Sequence, residues 1–300
     1  MIYLKIEEKL MLNDQIKNPV CEGQDPFILL YKDTYYQYLQ SKDDMGYDVL
    51  ISKDLQKWEN SGRCLYKDDC MGDKEFWAPE VVFYKGKFIM VYTANLHLGI
   101  AFADSPCGPF KQEEKKWLFE KEAIDGHIFI DEEKLYLYNV FWGVQNNECR
   151  EEIWGCELDE DFNPINNTLQ CLIVPEKEWE LIEGNVVEGP FILKHKEKYY
   201  MTYSANNFQC DNYAIGYAVS NSPLGKYKKY DENPILTSSE KFVSPGHNSF
   251  VEFKKDDSLY CVYHIHNSLT EVLPRKVCIS KSRFVTKENC DDILTIKSPM

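Results

Sequence analysis

Glu188-Gly-Pro-Phe-Ile-Leu193, then Lys194-His-Lys-Glu-Lys198, then Tyr199-Tyr-Met-Thr-Tyr203 reads as an acidic residue beside Gly and Pro, an apolar strand, a polar turn, and an aromatic-rich strand. The same grammar occurs four more times. Asp25-Pro-Phe-Ile-Leu-Leu-Tyr31 leads through Lys32-Asp-Thr34 to Tyr35-Tyr-Gln-Tyr38, and Pro79-Glu-Val-Val-Phe-Tyr84 through Lys85-Gly-Lys87 to Phe88-Ile-Met-Val-Tyr92. Asp125-Gly-His-Ile-Phe-Ile130 leads through Asp131-Glu-Glu-Lys134 to Leu135-Tyr-Leu-Tyr138, and Gly246-His-Asn-Ser-Phe-Val-Glu-Phe253 through Lys254-Lys-Asp-Asp257 to Leu259-Tyr-Cys-Val-Tyr263. Ser52-Lys-Asp-Leu-Gln-Lys-Trp58, Ala103-Asp-Ser-Pro-Cys-Gly-Pro-Phe110 and Ser220-Asn-Ser-Pro-Leu-Gly-Lys-Tyr227 close units with Pro- and Gly-bearing outer turns.

β-Branched and aromatic residues dominate these runs, and helical periodicity is nearly absent. The units recur about every 55 residues, the size of a four-stranded blade with its loops. The chain is expected to be all-β, a single-domain five-bladed β-propeller. A β-sandwich would supply similar hairpins but gives no reason for each unit to restart in the same way. The propeller is expected over residues 18–286, between an N-terminal extension 1–17 and a C-terminal tail 287–300, one of which could lend a strand that closes the ring.

The 300 residues are 44% hydrophobic and 14% aromatic, a globular composition that excludes a disordered, collagen-like or coiled-coil chain. Thirty-four basic against 49 acidic residues give a net charge of −15, which repels phosphate backbones and anionic membrane surfaces. Nucleic acid and membrane are therefore not expected partners, and a neutral oligosaccharide is. No run of 18 apolar residues exists for a membrane helix. The charged start Met1-Ile-Tyr-Leu-Lys-Ile-Glu-Glu-Lys9 lacks a signal-peptide core. With eleven cysteines and no Cys-x-x-Cys pair, the expectation is a cytoplasmic protein with reduced thiols. Nothing in the sequence specifies an oligomeric state.

The first strand of each propeller blade lines the central channel, and the starts of these strands gather at one mouth. Asp25, Glu80, Asp125, Glu188 and the His247-Asn248 pair stand at those starts. Carboxyls converging from several blades raise at least one pKa, the arrangement a glycosidase needs for one protonated acid and one ionised base. Each has a plainer reading: Asp25-Pro and Asp125-Gly are common turn formers. Glu188 is harder to explain structurally, because it stands inside an apolar run where an idle carboxylate is costly.

With these residues the chain resembles glycoside hydrolase family 43, five-bladed propeller enzymes acting on arabinose- and xylose-containing glycans. The matching runs, in family order, are Asp25-Pro26, Trp77-Ala-Pro-Glu-Val81, Ile124-Asp-Gly126, Val187-Glu-Gly-Pro190, Gly246-His-Asn-Ser249 and Arg275-Lys-Val-Cys-Ile279. The resemblance implies an inverting hydrolase releasing xylose or arabinose. Asp25 would be the general base, Glu188 the general acid and Asp125 the carboxylate that raises the acid's pKa. It implies Trp77 as an aromatic wall of the sugar subsite, Glu80 orienting the site by hydrogen bonds, and Arg275 reaching sugar hydroxyls. It also implies a structural calcium in the central channel, near His247 and met through water.

His127 shares a face with Asp125 and is a candidate pocket residue. His264 and His266 alternate along a strand, where packing or a polar channel wall is expected before a metal site. Ile124 stands where many xylosidase-like members carry an aromatic, and the C-terminal β-sandwich of larger members is not in this sequence. The pocket is then expected to be shaped by loops 40–47, 143–151 and 206–212. Two other functions fit the repeats: a glycoside phosphorylase, which needs a basic phosphate site, and a non-catalytic glycan-binding propeller, which would not need Asp25 or Glu188. Ser52-x-Asp54 with Trp58 only faintly resembles a sialidase Asp box. No phosphate-cradling glycine loop, zinc signature or Gly-x-Ser-x-Gly elbow is present.

Overall fold

In a computed structural model of the protein, residues 16–145, 148–287 and 291–298 are described. Most of the expected 1–17 extension and parts of the expected 287–300 tail lie outside them.

After a two-residue strand β1 (Cys21–Glu22), the chain lays down five antiparallel sheets in succession. The first holds β2 (Phe27–Tyr31), β3 (Thr34–Gln40), β4 (Gly46–Ser52) and β5 (Glu59–Tyr66). The second holds β6 (Trp77–Tyr84), β7 (Lys87–Ala94) and β8 (His97–Ala103), with a single Phe102–Lys111 bridge where a fourth strand would run. The third holds β9 (Ala123–Asp131), β10 (Lys134–Gln145), β11 (Glu148–Leu158) and β12 (Gln170–Ile173). The fourth holds β13 (Val187–His195), β14 (Lys198–Ala205), β15 (Ala214–Ser220) and β16 (Lys228–Lys229). The fifth holds β17 (Gly246–Phe253), β18 (Ser258–Ile265) and β19 (Lys276–Val285). Each sheet is a blade, and the five form the expected β-propeller.

The fifth blade is completed by both chain ends. Cys21 and Glu22 pair with Val277 and Lys276, while β20 (Ile293–Ile296) pairs with Ser282–Val285, so one edge of β19 takes β1 at one end and β20 at the other. Leu294 of β20 is fully buried. Residues 143–151, expected as a loop, are mostly β-ladder: β10 and β11 stay paired from Leu135–Leu158 up to Gln145–Glu148, beyond which the tip lies outside the described residues. The third blade thus raises a long hairpin at the mouth.

Tyrosine does much of the packing. Tyr38, Tyr138 and Tyr200 are buried, yet their hydroxyls donate to the carbonyls of Pro106, Pro223 and Asp292 at 2.7, 2.9 and 2.7 Å. Each ring fills space beside its strand while its polar tip ties a distant segment down, as buried tyrosines require.

At the mouth, each inner strand carries one residue with a left-handed backbone: Asp25 (φ 46°), Ala78 (43°), Asp125 (58°), Gly189 (57°) and His247 (48°). For a non-glycine residue that conformation costs roughly 1–2 kcal/mol. In the second to fifth blades the register with the neighbouring strand breaks there, the signature of a bulge. The freed N–H groups are not wasted. Asp25, Asp125, Gly189 and His247 donate to His264 Nδ1, Thr93 Oγ1, Asp125 Oδ2 and Ser204 Oγ, at 3.2, 3.2, 3.1 and 2.7 Å. In every case the acceptor belongs to the preceding blade of the ring, so these left-handed positions lock blade to blade.

Candidate active site

The bulges set the direction of the anchor side chains, and the anchors turn out not to be equivalent. Asp25, Asp125 and His247 are themselves the left-handed residues. Glu188 stands one position before its blade's left-handed residue, and Glu80 two after. Side chains alternate along a strand, so a shift of one or two positions sends a carboxyl to a different place.

Asp25, Asp125, Glu188, Trp77, His247 and Arg275 line one cavity of about 400 Å³ at the mouth. Glu80 and His127 do not. They share a register position on adjacent blades and bind each other, His127 Nδ1 to Glu80 Oε2 at 2.6 Å, while the Ile192 N–H donates to His127 Nε2 at 3.1 Å. His127 is therefore a bolt joining three blades beneath the cavity. His264 is buried against Asp25, and His266 donates to the Phe208 carbonyl at 2.8 Å, so both packing expectations hold.

Glu151, Asn206, Asn207 and Phe208 line the cavity from two of the segments expected to shape it, 143–151 and 206–212, though none was singled out; Trp142 and Leu273, which also line it, and Tyr213, which sits behind it, were missed. Tyr213 points its hydroxyl at Glu188 Oε1. Its ring stacks on His264 at 5.7 Å and rests on Gly246, where a Cβ would come within 1.8 Å of it. Only glycine permits that approach. The Arg275 guanidinium lies over the Phe208 ring at 4.7 Å, bringing the 206–212 loop over the cavity.

The carboxyls are held in opposite proton states. Burial works to raise the Asp25 pKa, but Arg275 at 3.0 Å, His247 at 3.5 Å and His264 at 3.3 Å overcome it and hold the group well below the usual carboxylate range. Burial, Asp125 and Glu151 push Glu188 up to about 8, against His247 and the Tyr213 hydroxyl. Burial and the charges of Asp25, Glu151 and Glu80 push Asp125 upward too, while the Gly189 N–H at 3.1 Å opposes them. Burial keeps the Glu151 proton up to about 7. Asp125, Glu151 and Glu188 titrate as a set, because neighbouring carboxyls cannot all ionise without strong repulsion. One wall of the cavity offers an ionised carboxylate and the other retains protons, the pairing that acid–base chemistry on one substrate requires.

Among the described residues Arg275 is the only lysine or arginine in the lining, and it bonds Asp25 Oδ1 and, at 2.5 Å, Gln24 Oε1. Arg275→Met removes the charge that favours the Asp25 anion. Carboxyl-carbon NMR titration is expected to move Asp25 up by about one to three units.

Calcium takes six to eight oxygen ligands. Among the described residues no group of three or more His, Cys, Asp or Glu side chains is arranged to hold an ion. The carboxylate oxygens nearest His247 Nδ1 are Asp25 Oδ1 at 3.5 Å and Asp125 Oδ2 at 3.8 Å, and the first is already taken by Arg275. Asn248 Oδ1, buried without a partner, is a single spare acceptor. These donors do not fit a directly ligated calcium. The ten described cysteines are unpaired, and no helix among the described residues is long and apolar enough to cross a membrane.

The family model for glycosyl hydrolases family 43 matches residues 16–288. A solved endo-1,4-beta-xylanase from Bacteroides thetaiotaomicron superposes with a TM-score of 0.86 at 32% identity, covering 95% of this chain and 97% of that one. A xylan 1,3-beta-xylosidase from Vibrio is 26% identical over 79% of this chain, which spans 47% of that enzyme's length. An extracellular exo-alpha-(1->5)-L-arabinofuranosidase from Streptomyces chartreusis is 28% identical over 83% of this chain and 81% of its own length.

Proposed function

The chain belongs to glycosyl hydrolases family 43, and from that premise we propose that it is an inverting glycoside hydrolase releasing a terminal xylose or arabinose from oligosaccharides. The observation that carries the reading is the pair of opposite proton states in one cavity: Asp25 ionised, Glu188 protonated to about 8.

In this reading Asp25 takes a proton from the attacking water as the water oxygen bonds to the anomeric carbon. Glu188 gives its proton to the glycosidic oxygen as that bond breaks. Inversion needs the water between base and sugar, which sets base and acid farther apart than a direct nucleophile would allow. Asp125 opposes ionisation of Glu188, so a proton stays between them until the leaving oxygen claims it. Trp77 offers an aromatic face to the sugar ring. Arg275 keeps Asp25 ionised and presents forked donors at the same wall. His247 Nδ1 sits between Asp25 and Asp125, 3.5 and 3.8 Å from their carboxyl oxygens.

The cavity, of about 400 Å³, lies within the range of small-molecule sites. Among relatives, both xylose and arabinofuranose appear in enzyme names, so the sugar is open between these two. The phosphorylase alternative is disfavoured because, among the described residues, the single guanidinium in the lining is bonded to Asp25 and Gln24, with no lysine or second arginine beside it for phosphate.

The test is turnover of aryl β-D-xyloside and aryl α-L-arabinofuranoside, with proton NMR of the first sugar released. Release from at least one, as the anomer opposite to the substrate's, is expected. Retained configuration would overturn inversion. Release only with added phosphate would replace hydrolysis by phosphorolysis, and binding without turnover would leave a glycan-binding propeller.

A further inference from the structure

We propose that Glu151, on the β10–β11 hairpin, is a positioning residue of this reaction: a fourth carboxyl group whose charge keeps Glu188 in its acid form on the alkaline side of neutrality. The proposal rests on the hydrolase reading above.

Glu151 lines the same cavity as Asp125 and Glu188. It pairs across the hairpin with Trp142, whose side chain hydrogen-bonds its carboxyl. Its backbone N–H donates to the Asn185 carbonyl at 2.8 Å, three residues ahead of Glu188, so the hairpin is fastened to the strand that carries the acid. Among the described residues Glu151 makes no ion pair, and its neighbour Arg150 turns to Glu152 instead.

The charges around the acid come from four elements. Asp125 of β9 and Glu151 of β11 face it as carboxyls, His247 of β17 as an imidazole, and Tyr213, just ahead of β15, as a hydroxyl donor. Asp125 in turn meets Asp25, Glu80 and the Gly189 N–H. Arg275 is bound to Asp25 on the opposite wall. The Glu188 side of the cavity therefore holds three carboxyls against a single imidazole, and whichever ionises first raises the cost for the others.

Burial raises Glu151 and Glu188 alike, so both keep their protons through acidic pH, where Glu151 is uncharged and contributes little. As pH rises, a Glu151 anion makes ionising Glu188 costlier and extends the acid's working range upward. The alkaline limit of activity is thus set by the β10–β11 hairpin as well as by Glu188 and Asp125.

The experiment compares wild type, Glu151→Gln and Glu151→Asp on a pentose disaccharide, whose poor leaving group needs the acid. Glutamine keeps the shape and an acceptor for Trp142 but no charge. The alkaline limb of kcat/KM is expected to fall by about one unit in Glu151→Gln and to stay near wild type in Glu151→Asp. In parallel, the Glu188 carboxyl carbon is titrated by NMR in the Asp25→Asn background, with and without Glu151→Gln, where the same downward shift is expected without any turnover. A uniform loss of rate with an unmoved limb would make Glu151 a structural or substrate contact and overturn the proposal. An unmoved limb with unchanged rate would do the same. Should wild type cleave no pentoside, the hydrolase reading falls, while the titration still decides whether the Glu151 charge reaches Glu188.

Discussion

Asp25→Asn is expected to lower kcat/KM by about three to four orders of magnitude on every substrate, whatever its leaving group. Water is a poor nucleophile, and the step that removes its proton is common to all substrates. Asparagine is the informative replacement because it tolerates the left-handed backbone that this position adopts at φ 46°. It preserves that backbone turn and its contact to His264, and removes only the charge. The Arg275 guanidinium then loses its carboxylate, so part of the loss will reach substrate binding. Kinetics on aryl and disaccharide substrates, with thermal unfolding as a control, check it. A loss confined to slow leaving groups would mean that Asp25 is not the base.

Glu188→Gln is expected to be selective where Asp25→Asn is not. On a disaccharide, whose departing alkoxide needs a proton, kcat should fall by about two to four orders of magnitude. On an aryl glycoside with a strongly acidic phenol the same variant should retain most of its rate, because that oxygen leaves without help. The alkaline limb should vanish with the group that titrates at about 8. Below that pH, wild-type Glu188 is protonated and competent; above it, the proton is lost and wild type should decline toward the variant. The measurement is the ratio of the two substrates' rates as a function of pH. An equal loss on both substrates would assign Glu188 a different role.

The sequence carried the architecture because the repeats announce themselves: five apolar strands each followed by a polar turn and an aromatic strand. It also brought forward Asp25, Asp125 and Glu188. Register was not legible. Glu80 looks equivalent to the other anchors in print, but the bulge at Ala78 displaces it by two positions, and its carboxyl goes to His127 rather than into the cavity. Nothing in the letters Trp-Ala-Pro-Glu reveals a left-handed alanine. Glu151 was hidden for another reason. The run Arg150-Glu-Glu152 reads as a polar loop, and only the ladder between β10 and β11 shows that alternate residues point in opposite directions, Glu151 to the cavity and Glu152 to Arg150. Tyr213 follows a loop whose length conceals where the next strand begins, so its aim at Glu188 required the fold.

The seam at which both chain ends meet β19 has a consequence for the order of synthesis. Asp25 leaves the ribosome early, but the groups that hold it as an anion, His264 and Arg275, follow 239 and 250 residues later. At roughly 5–20 residues per second that is a wait of about 10–50 s. Through it the aspartate is a carboxylate without its partners, in a chain whose ring is still open. The nascent protein therefore passes from inert to competent in one late step, when the last blade arrives and the first residues return to meet it. A chain truncated between Glu188 and Arg275 would keep Asp25, Asp125, Glu151 and Glu188 but lack the guanidinium that holds Asp25 as an anion.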